Sequence, residues 1–173
     1  MKTKWIVNSN QSEALIRIKD SIIAYLSGNI NNFQGYADFN NGEIENATIA
    51  FSLDFKNRES KLERLGNYLK LNNFFDINHF PTISFKSTSF QKANKNIHFL
   101  KGDLTIKNIT KSVELDVELI ENDYLDTKKK RAVELTANIN RNDFELSNNQ
   151  LRTQSKSTKA SNIKIVANVE FNI

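Results

Sequence analysis

Two histidines, His79 and His98, are the side chains of this sequence best suited to acid–base or metal chemistry near neutral pH. They lie far apart along the chain, neither has a second histidine at helical spacing, and there is no cysteine. A protein zinc site normally takes three or four His, Cys or acidic ligands at short spacings. We therefore expect no metal site, and we assign His98 to the solvent-facing side of its strand.

Motifs of the common catalytic sites are absent from the sequence. It contains no nucleophile elbow, no glycine-rich phosphate loop and no zinc-protease motif. The carboxylates Asp123 and Asp126 stand beside a basic run at residues 128–131, where they balance charge. We expect no catalytic residue and no cofactor, and an enzyme built on dispersed residues stays open as an alternative.

Arg141 is the charged residue that most suggests a ligand contact. It is in phase with the apolar side of its strand, and an unpaired buried charge is costly. Two roles fit an inward arginine. It either pairs with a carboxylate such as Asp143 or Asp76, or its planar set of donors contacts the phosphate or polar head of a ligand.

Length, composition and charge limit the domain number and the classes of partner. The 173 residues suit a single domain, 1–173, with 39% hydrophobic residues and a net charge of +4. The one dense basic run sits at an apparent hairpin tip and not along a stripe, so we expect no nucleic-acid partner. No apolar stretch approaches the roughly 18 residues of a membrane helix, so we expect no stable membrane insertion.

The start of the sequence bears on localisation. Residues 1–8 have a charged end but no apolar core of a signal peptide. We therefore expect a cytoplasmic protein, or a periplasmic one if the native chain extends further at its start.

Most of the chain alternates apolar and polar residues with a period of two. One dry and one wet face, repeated this often, predict an antiparallel sheet of eight or nine strands. The alternation is clearest over residues 49–55, 83–86, 100–107, 113–120, 133–140 and 163–171, with further strands at 16–18 and within 22–39.

One segment departs from this period. Leucines at 62, 65 and 69 recur at helical spacing, and Ser60 and Glu63 have the offset of a capping box, which predicts a helix over about 61–71. A sheet with one dry face must cover it, and closure into a barrel does so while removing the sheet edges. We predict an all-β antiparallel barrel of eight or slightly more strands with one covering helix; a two-sheet sandwich is the competing solution.

Three sequence blocks then carry a resemblance to a known family. Residues 69–76 and 79–87 read Leu-Lys-Leu-Asn-Asn-Phe-Phe-Asp and His-Phe-Pro-Thr-Ile-Ser-Phe-Lys-Ser, residues 102–113 contain Gly-Asp-Leu-Thr and Thr-Lys, and residues 139–144 read Ile-Asn-Arg-Asn-Asp-Phe. In order and spacing these blocks, with Trp5, Gly28, Phe33 and Gly35, resemble the YceI-like family of polyisoprenoid-binding domains.

This resemblance implies a lipocalin-like barrel whose apolar lumen takes a long isoprenoid or similar lipid tail. Family members are described as lipid carriers or stress-related proteins, often pair as homodimers, and are not known as enzymes by their motifs. The chain departs from the family pattern at Leu65-Gly66, Tyr68, Asp20 and Glu145, the last of which replaces a glycine. These departures remove polar groups that could line the mouth of the lumen.

The dry faces of the strands supply the candidate ligand contacts. We expect the lumen of a lipid-binding barrel to be lined by Ile49, Phe51, Leu53, Phe85, Leu104, Val113, Leu115, Val117, Leu135 and Ile139, with Arg141 at the head group. One ring of Phe74 and Phe75 is expected to plug the barrel, and Asp76 to cap the following turn. The partner is then a long-chain lipid or isoprenoid, and the alternatives are a solidly packed barrel acting as an interaction protein and an enzyme using the same cavity.

Overall fold

The computed structural model describes residues 2–18, 21–27, 33–40, 43–55, 75–120, 130–146 and 162–172. The helix predicted over about 61–71 lies outside these residues. Within them the chain forms ten strands: β1 (Lys2–Val7), β2 (Glu13–Ile18), β3 (Ser21–Ser27), β4 (Phe33–Asn40), β5 (Glu43–Asp54), β6 (Thr82–Lys92), β7 (Ile97–Ile106), β8 (Ile109–Ile120), β9 (Lys130–Asn140) and β10 (Asn162–Asn172).

The strands form one antiparallel sheet that closes on itself. β1 pairs with β4 on one side and with the end of β10 on the other, where Val7 lies opposite Phe171. This contact closes a ring of eight strands, β1 and β4 to β10. β2 pairs with the first half of β10, and β3 pairs with β2. The predicted antiparallel barrel is confirmed, with two more strands flanking the eight that close it.

The alternation of side chains decides which face of each strand is buried. Along β7 every second residue from His98 to Ile106 is buried, and the residues between them face solvent or lie at its edge. A two-residue turn, Lys107-Asn108, joins β7 to β8, and both residues have positive φ, which is the backbone of a type I′ hairpin. The tight turn holds β7 and β8 in register, so their apolar faces point together into the barrel.

Candidate functional site

A cavity of about 140 Å³ lies inside the barrel. It occupies the end at which β7 and β9 finish, because Ile106 and Ile139 border it, and its wall is almost entirely apolar. Protein cores are normally packed to crystal density, with few voids larger than a water molecule. An apolar cavity of this size is therefore larger than the voids that a normally packed core contains. We refer to it as the main cavity.

Eight of the ten predicted lumen residues border the main cavity. They share the inward face of β5 to β9: Phe51, Leu53, Phe85, Leu104, Val113, Leu115, Leu135 and Ile139. The other two, Ile49 and Val117, border a second, small cavity of about 30 Å³. The sequence pattern thus placed all ten on the inner face, and their contact with a ligand stays a prediction.

Several residues of the wall were not among the predicted lumen residues. Ile83, Ile106 and Ile165 border the main cavity and were already in phase with the chosen dry faces, so the period-two signal could have included them. Ile16 and Leu26 also border it, from β2 and β3. Their short strands gave too few alternating positions to rank them as lumen residues.

Phe75 reaches the main cavity from the connection between β5 and β6. Its side chain is fully buried and borders the cavity, as expected for one ring of the Phe-Phe pair; Phe74 lies outside the described residues. The turn after Phe75 is held by Asp76, whose carbonyl accepts the N–H groups of His79 and Phe80. The Asp76 carboxylate also lies 2.7 Å from Nδ1 of the exposed His79. This turn fixes Phe75 against the barrel.

Two glycines make room for aromatic rings on the cavity wall. A Cβ atom at Gly35 would lie 2.6 Å from Cδ1 of Phe51, and one at Gly102 would lie 2.5 Å from Cζ of Phe85. Both distances are far below van der Waals contact, so each ring lies directly over glycine backbone. The two rings stack on each other with centroids 6.4 Å apart. The glycines at these lumen positions are therefore required by close packing.

The small cavity lies at the opposite end of the barrel, where β7 and β9 begin. Leu100, Val117 and Phe171 are among its apolar lining residues. Phe51 and Leu135 border both cavities. Among the described residues, these are the two that lie against both spaces.

Arg141 is buried, with 6% of its surface exposed. It starts a 3-10 helix, Arg141–Phe144, directly after β9, and its carbonyl accepts the N–H of Leu146. Within the described part of the chain it forms no ion pair with Asp143 or Asp76, and Asp76 is occupied by His79. Arg141 is also not among the described residues on the wall of the main cavity. Its expected contact with a ligand head group stays a prediction.

The expectation that His98 is exposed is wrong. Its side chain is fully buried, because residue 98 is in phase with Leu100 and Leu104 on the inward face of β7. The imidazole packs against Phe90 with ring centroids 5.3 Å apart. Neither ring nitrogen has a hydrogen-bond partner in the part of the chain that the structure describes.

Burial is the largest cause that lowers the pKa of His98 below its usual 6.5, because a low-dielectric site disfavours the charged form. The positive charge of Lys92 lowers the pKa further, and the backbone of Asn96 has a smaller opposing effect. His98 is therefore a neutral core residue.

The wall of the main cavity offers hydrocarbon surface and very few polar groups. Across the described ranges, no titratable side chain borders it. Polar groups converging at one depth would favour an enzyme, and the wall offers only Gln34, Ser52 and Ser84 at its border. The described residues also hold no cluster of three or more potential metal ligands. Nor does any helix among them have the length and apolarity to cross a bilayer.

Comparison with known proteins identifies the family. Residues 5–171 match the model of the YceI-like domain. A UPF0312 protein of Staphylococcus aureus (strain N315) is 27% identical over 99% of this chain and 98% of its own length. A UPF0312 protein of Vibrio cholerae (El Tor Inaba N16961) is 24% identical over 67% of this chain and 62% of its own.

Solved structures share the fold at low identity. Burkholderia cenocepacia BcnA superposes with a TM-score of 0.65 at 14% identity, covering 96% of this chain and 95% of BcnA. A Campylobacter jejuni YCEI protein gives a TM-score of 0.62 at 21% identity, covering 91% of this chain and 84% of its own. At these identities the likeness concerns the fold alone.

Proposed function

This chain belongs to the YceI-like domain family, and we propose that its barrel binds the apolar tail of a long-chain amphiphile without acting as an enzyme. The leading ligand class is an isoprenoid lipid, either a quinone or a polyprenyl phosphate, in keeping with the polyisoprenoid binding for which the family is known. The observation that carries the proposal is the main cavity, an apolar space of about 140 Å³ inside a closed barrel.

The energetic basis of binding is burial of hydrocarbon. Each methylene that moves from water into the lumen contributes about 0.8 kcal/mol. An engineered apolar cavity of about 150 Å³ stays dry and binds benzene, so the main cavity holds a hydrocarbon segment of about that size, roughly one isoprene unit. Gln34, Ser52 and Ser84 reach its border, but the wall is almost entirely apolar, so a bound tail would desolvate very little polar surface.

Charges at this end of the barrel do not favour one kind of head group. Lys107 and Lys164 lie near the turn and strand end that border the main cavity, but Asp54 and Asp143 lie at the same end. The proposal therefore rests on the tail, and the contact of Arg141 with a head group is a separate prediction.

The test is native mass spectrometry of the protein purified without detergent, followed by lipid analysis of its organic extract. We expect a stoichiometric adduct with an isoprenoid or acyl mass. A clean apo mass that persists after incubation with quinones and polyprenyl phosphates would contradict the proposal and leave a barrel that acts through its surface.

A matched pair of variants on β9 shows whether the adduct lies in the lumen. Ala137 borders the main cavity, whereas Ala132 lies on the alternate, outward phase of the same strand. We expect Ala137→Leu to lower occupancy about tenfold, because the added carbons take the place of ligand carbons. Ala132→Leu should leave occupancy unchanged; equal loss in both variants would place the ligand elsewhere.

A further inference from the structure

Two cavities lie inside one barrel and share part of their lining. The main cavity and the small cavity share two bordering residues among those described, Phe51 on β5 and Leu135 on β9. The small cavity is walled by apolar residues such as Phe90, Leu100 and Val117. Its apolar wall makes it a chemically suitable continuation of the main cavity.

We propose that Phe51 is the specificity-determining residue for tail length, because its ring, with Leu135, ends the main cavity and stops an entering tail there. This inference rests on the proposed lipid binding. It assigns the preferred ligand class more closely, as amphiphiles whose tail ends at the Phe51 ring and does not reach the small cavity.

The ring of Phe51 is held firmly enough to act as a stop. In the sheet it lies between Gly35 on β4 and Phe85 on β6. Its ring contacts those of Phe85, at 6.4 Å between centroids, and Phe171, at 6.1 Å. Gly35 carries no Cβ, and the Cδ1 atom of Phe51 occupies the space that such a Cβ would need. Neighbours on both sides therefore keep the ring across the lumen.

Phe85 provides a matched control for this role. It is the stacking partner of Phe51, is also a phenylalanine over a glycine, and borders the main cavity. It is not among the described residues that border the small cavity. Truncating Phe85 widens the main cavity, whereas truncating Phe51 joins the two cavities.

The experiment measures the tail length that each protein selects. Wild type, Phe51→Ala, Phe51→Leu and Phe85→Ala are each incubated with an equimolar mixture of geraniol, farnesol and geranylgeraniol, and bound species are counted by native mass spectrometry. Phe51→Leu is included because it removes less of the core, and a thermal melt confirms that each variant is folded. The readout is the ratio of the longest bound alcohol to the next shorter one.

Each newly buried methylene raises affinity about fourfold. We therefore expect the ratio to rise at least about tenfold in Phe51→Ala, and in the same direction in Phe51→Leu. In Phe85→Ala we expect it to stay within about twofold of wild type. Adding Val117→Leu to Phe51→Leu should return the ratio toward wild type, because Val117 borders the small cavity and the larger side chain fills it.

The possible failures are distinguishable. If folded Phe51 variants bind farnesol but keep the wild-type ratio of longest to next shorter alcohol, the role of Phe51 is overturned. An equal rise of that ratio in Phe85→Ala would overturn it as well. In both cases lipid binding itself would stand. If wild type binds none of the alcohols and carries no lipid after purification, both the role of Phe51 in tail length and the proposed function are overturned. This outcome is visible in wild type without any variant.

Discussion

Gly102→Ala tests the packing that shapes the main cavity. Gly102 lies on β7 opposite Ser87 of β6. A Cβ there would come within 2.5 Å of both the Lys86 carbonyl oxygen and Cζ of Phe85. The ring can turn away, but the carbonyl belongs to the paired strand and can move only with the sheet.

The magnitude follows from two opposing effects. With no neighbour in the way, Gly→Ala stabilises a protein by about 0.4–1 kcal/mol, because it restricts the unfolded chain. Forcing an extra carbon into a packed core costs about 1–3 kcal/mol. We expect the free energy of unfolding to fall by about 1–2 kcal/mol net, which corresponds to about 2–8 °C in Tm for a domain of this size.

The assay is urea unfolding of four proteins that form a double-mutant cycle: wild type, Gly102→Ala, Phe85→Leu and the double variant that carries both changes. Because Phe85 supplies part of the clash, the double variant should be more stable than the sum of the single effects by about 1 kcal/mol. Asp103→Ala, at an exposed neighbouring position, is the control and should change stability by less than about 0.5 kcal/mol. Gly102→Ala with unchanged or higher stability would refute the close-packing argument.

Glu145, His98 and Arg141 each allow a direct test. Glu145 has a left-handed backbone (φ 52°) after the 3-10 helix, so Glu145→Gly should raise the free energy of unfolding by about 0.5–1 kcal/mol. Glu145→Ala keeps the Cβ and is the control. An equal gain in stability for Glu145→Ala in thermal melts would contradict the backbone explanation. Because the pKa of His98 is lowered only in the folded state, the free energy of unfolding of wild type should fall as pH drops below about 6.5. In urea titrations between pH of about 7 and about 5, His98→Leu should lose less stability than wild type. Equal losses in the two proteins would contradict this role of His98. Arg141→Ala should weaken binding of farnesyl phosphate about tenfold more than binding of farnesol; equal binding with lower stability would instead assign Arg141 to the fold.

Much of the barrel was predictable because alternation is a local signal. In β9, Val133, Leu135 and Ile139 point inward simply because successive side chains on a strand point to opposite faces. The same rule, applied two residues before Leu100 in β7, would have placed His98 in the core. The prediction had placed His98 on the wet face, although residue 98 has the phase of Leu100.

Other features depend on contacts between distant parts of the chain. The period of two did not show that Phe51 and Leu135 would meet between two cavities, because they come from β5 and β9 on different sides of the ring. Nor did it show that Arg141, in phase with β9, would start a 3-10 helix off the cavity wall. A strand's phase stops predicting direction where the strand ends.

The fold class, the antiparallel pairing of long strands and the inward-facing residues could all be predicted from alternation, which depends on residues two positions apart. The sequence also contains Gly102, and a glutamate at 145 where the family has glycine. Only the structure gives the physical reasons: a Cβ at residue 102 would lie too close to its neighbours, and residue 145 has the left-handed backbone that favours glycine. Contacts between distant strands set where the barrel closes, that its core leaves about 140 Å³ open, and that Phe51 borders both cavities. Those properties are volumes left between side chains from strands far apart in the chain, and no local pattern measures a volume.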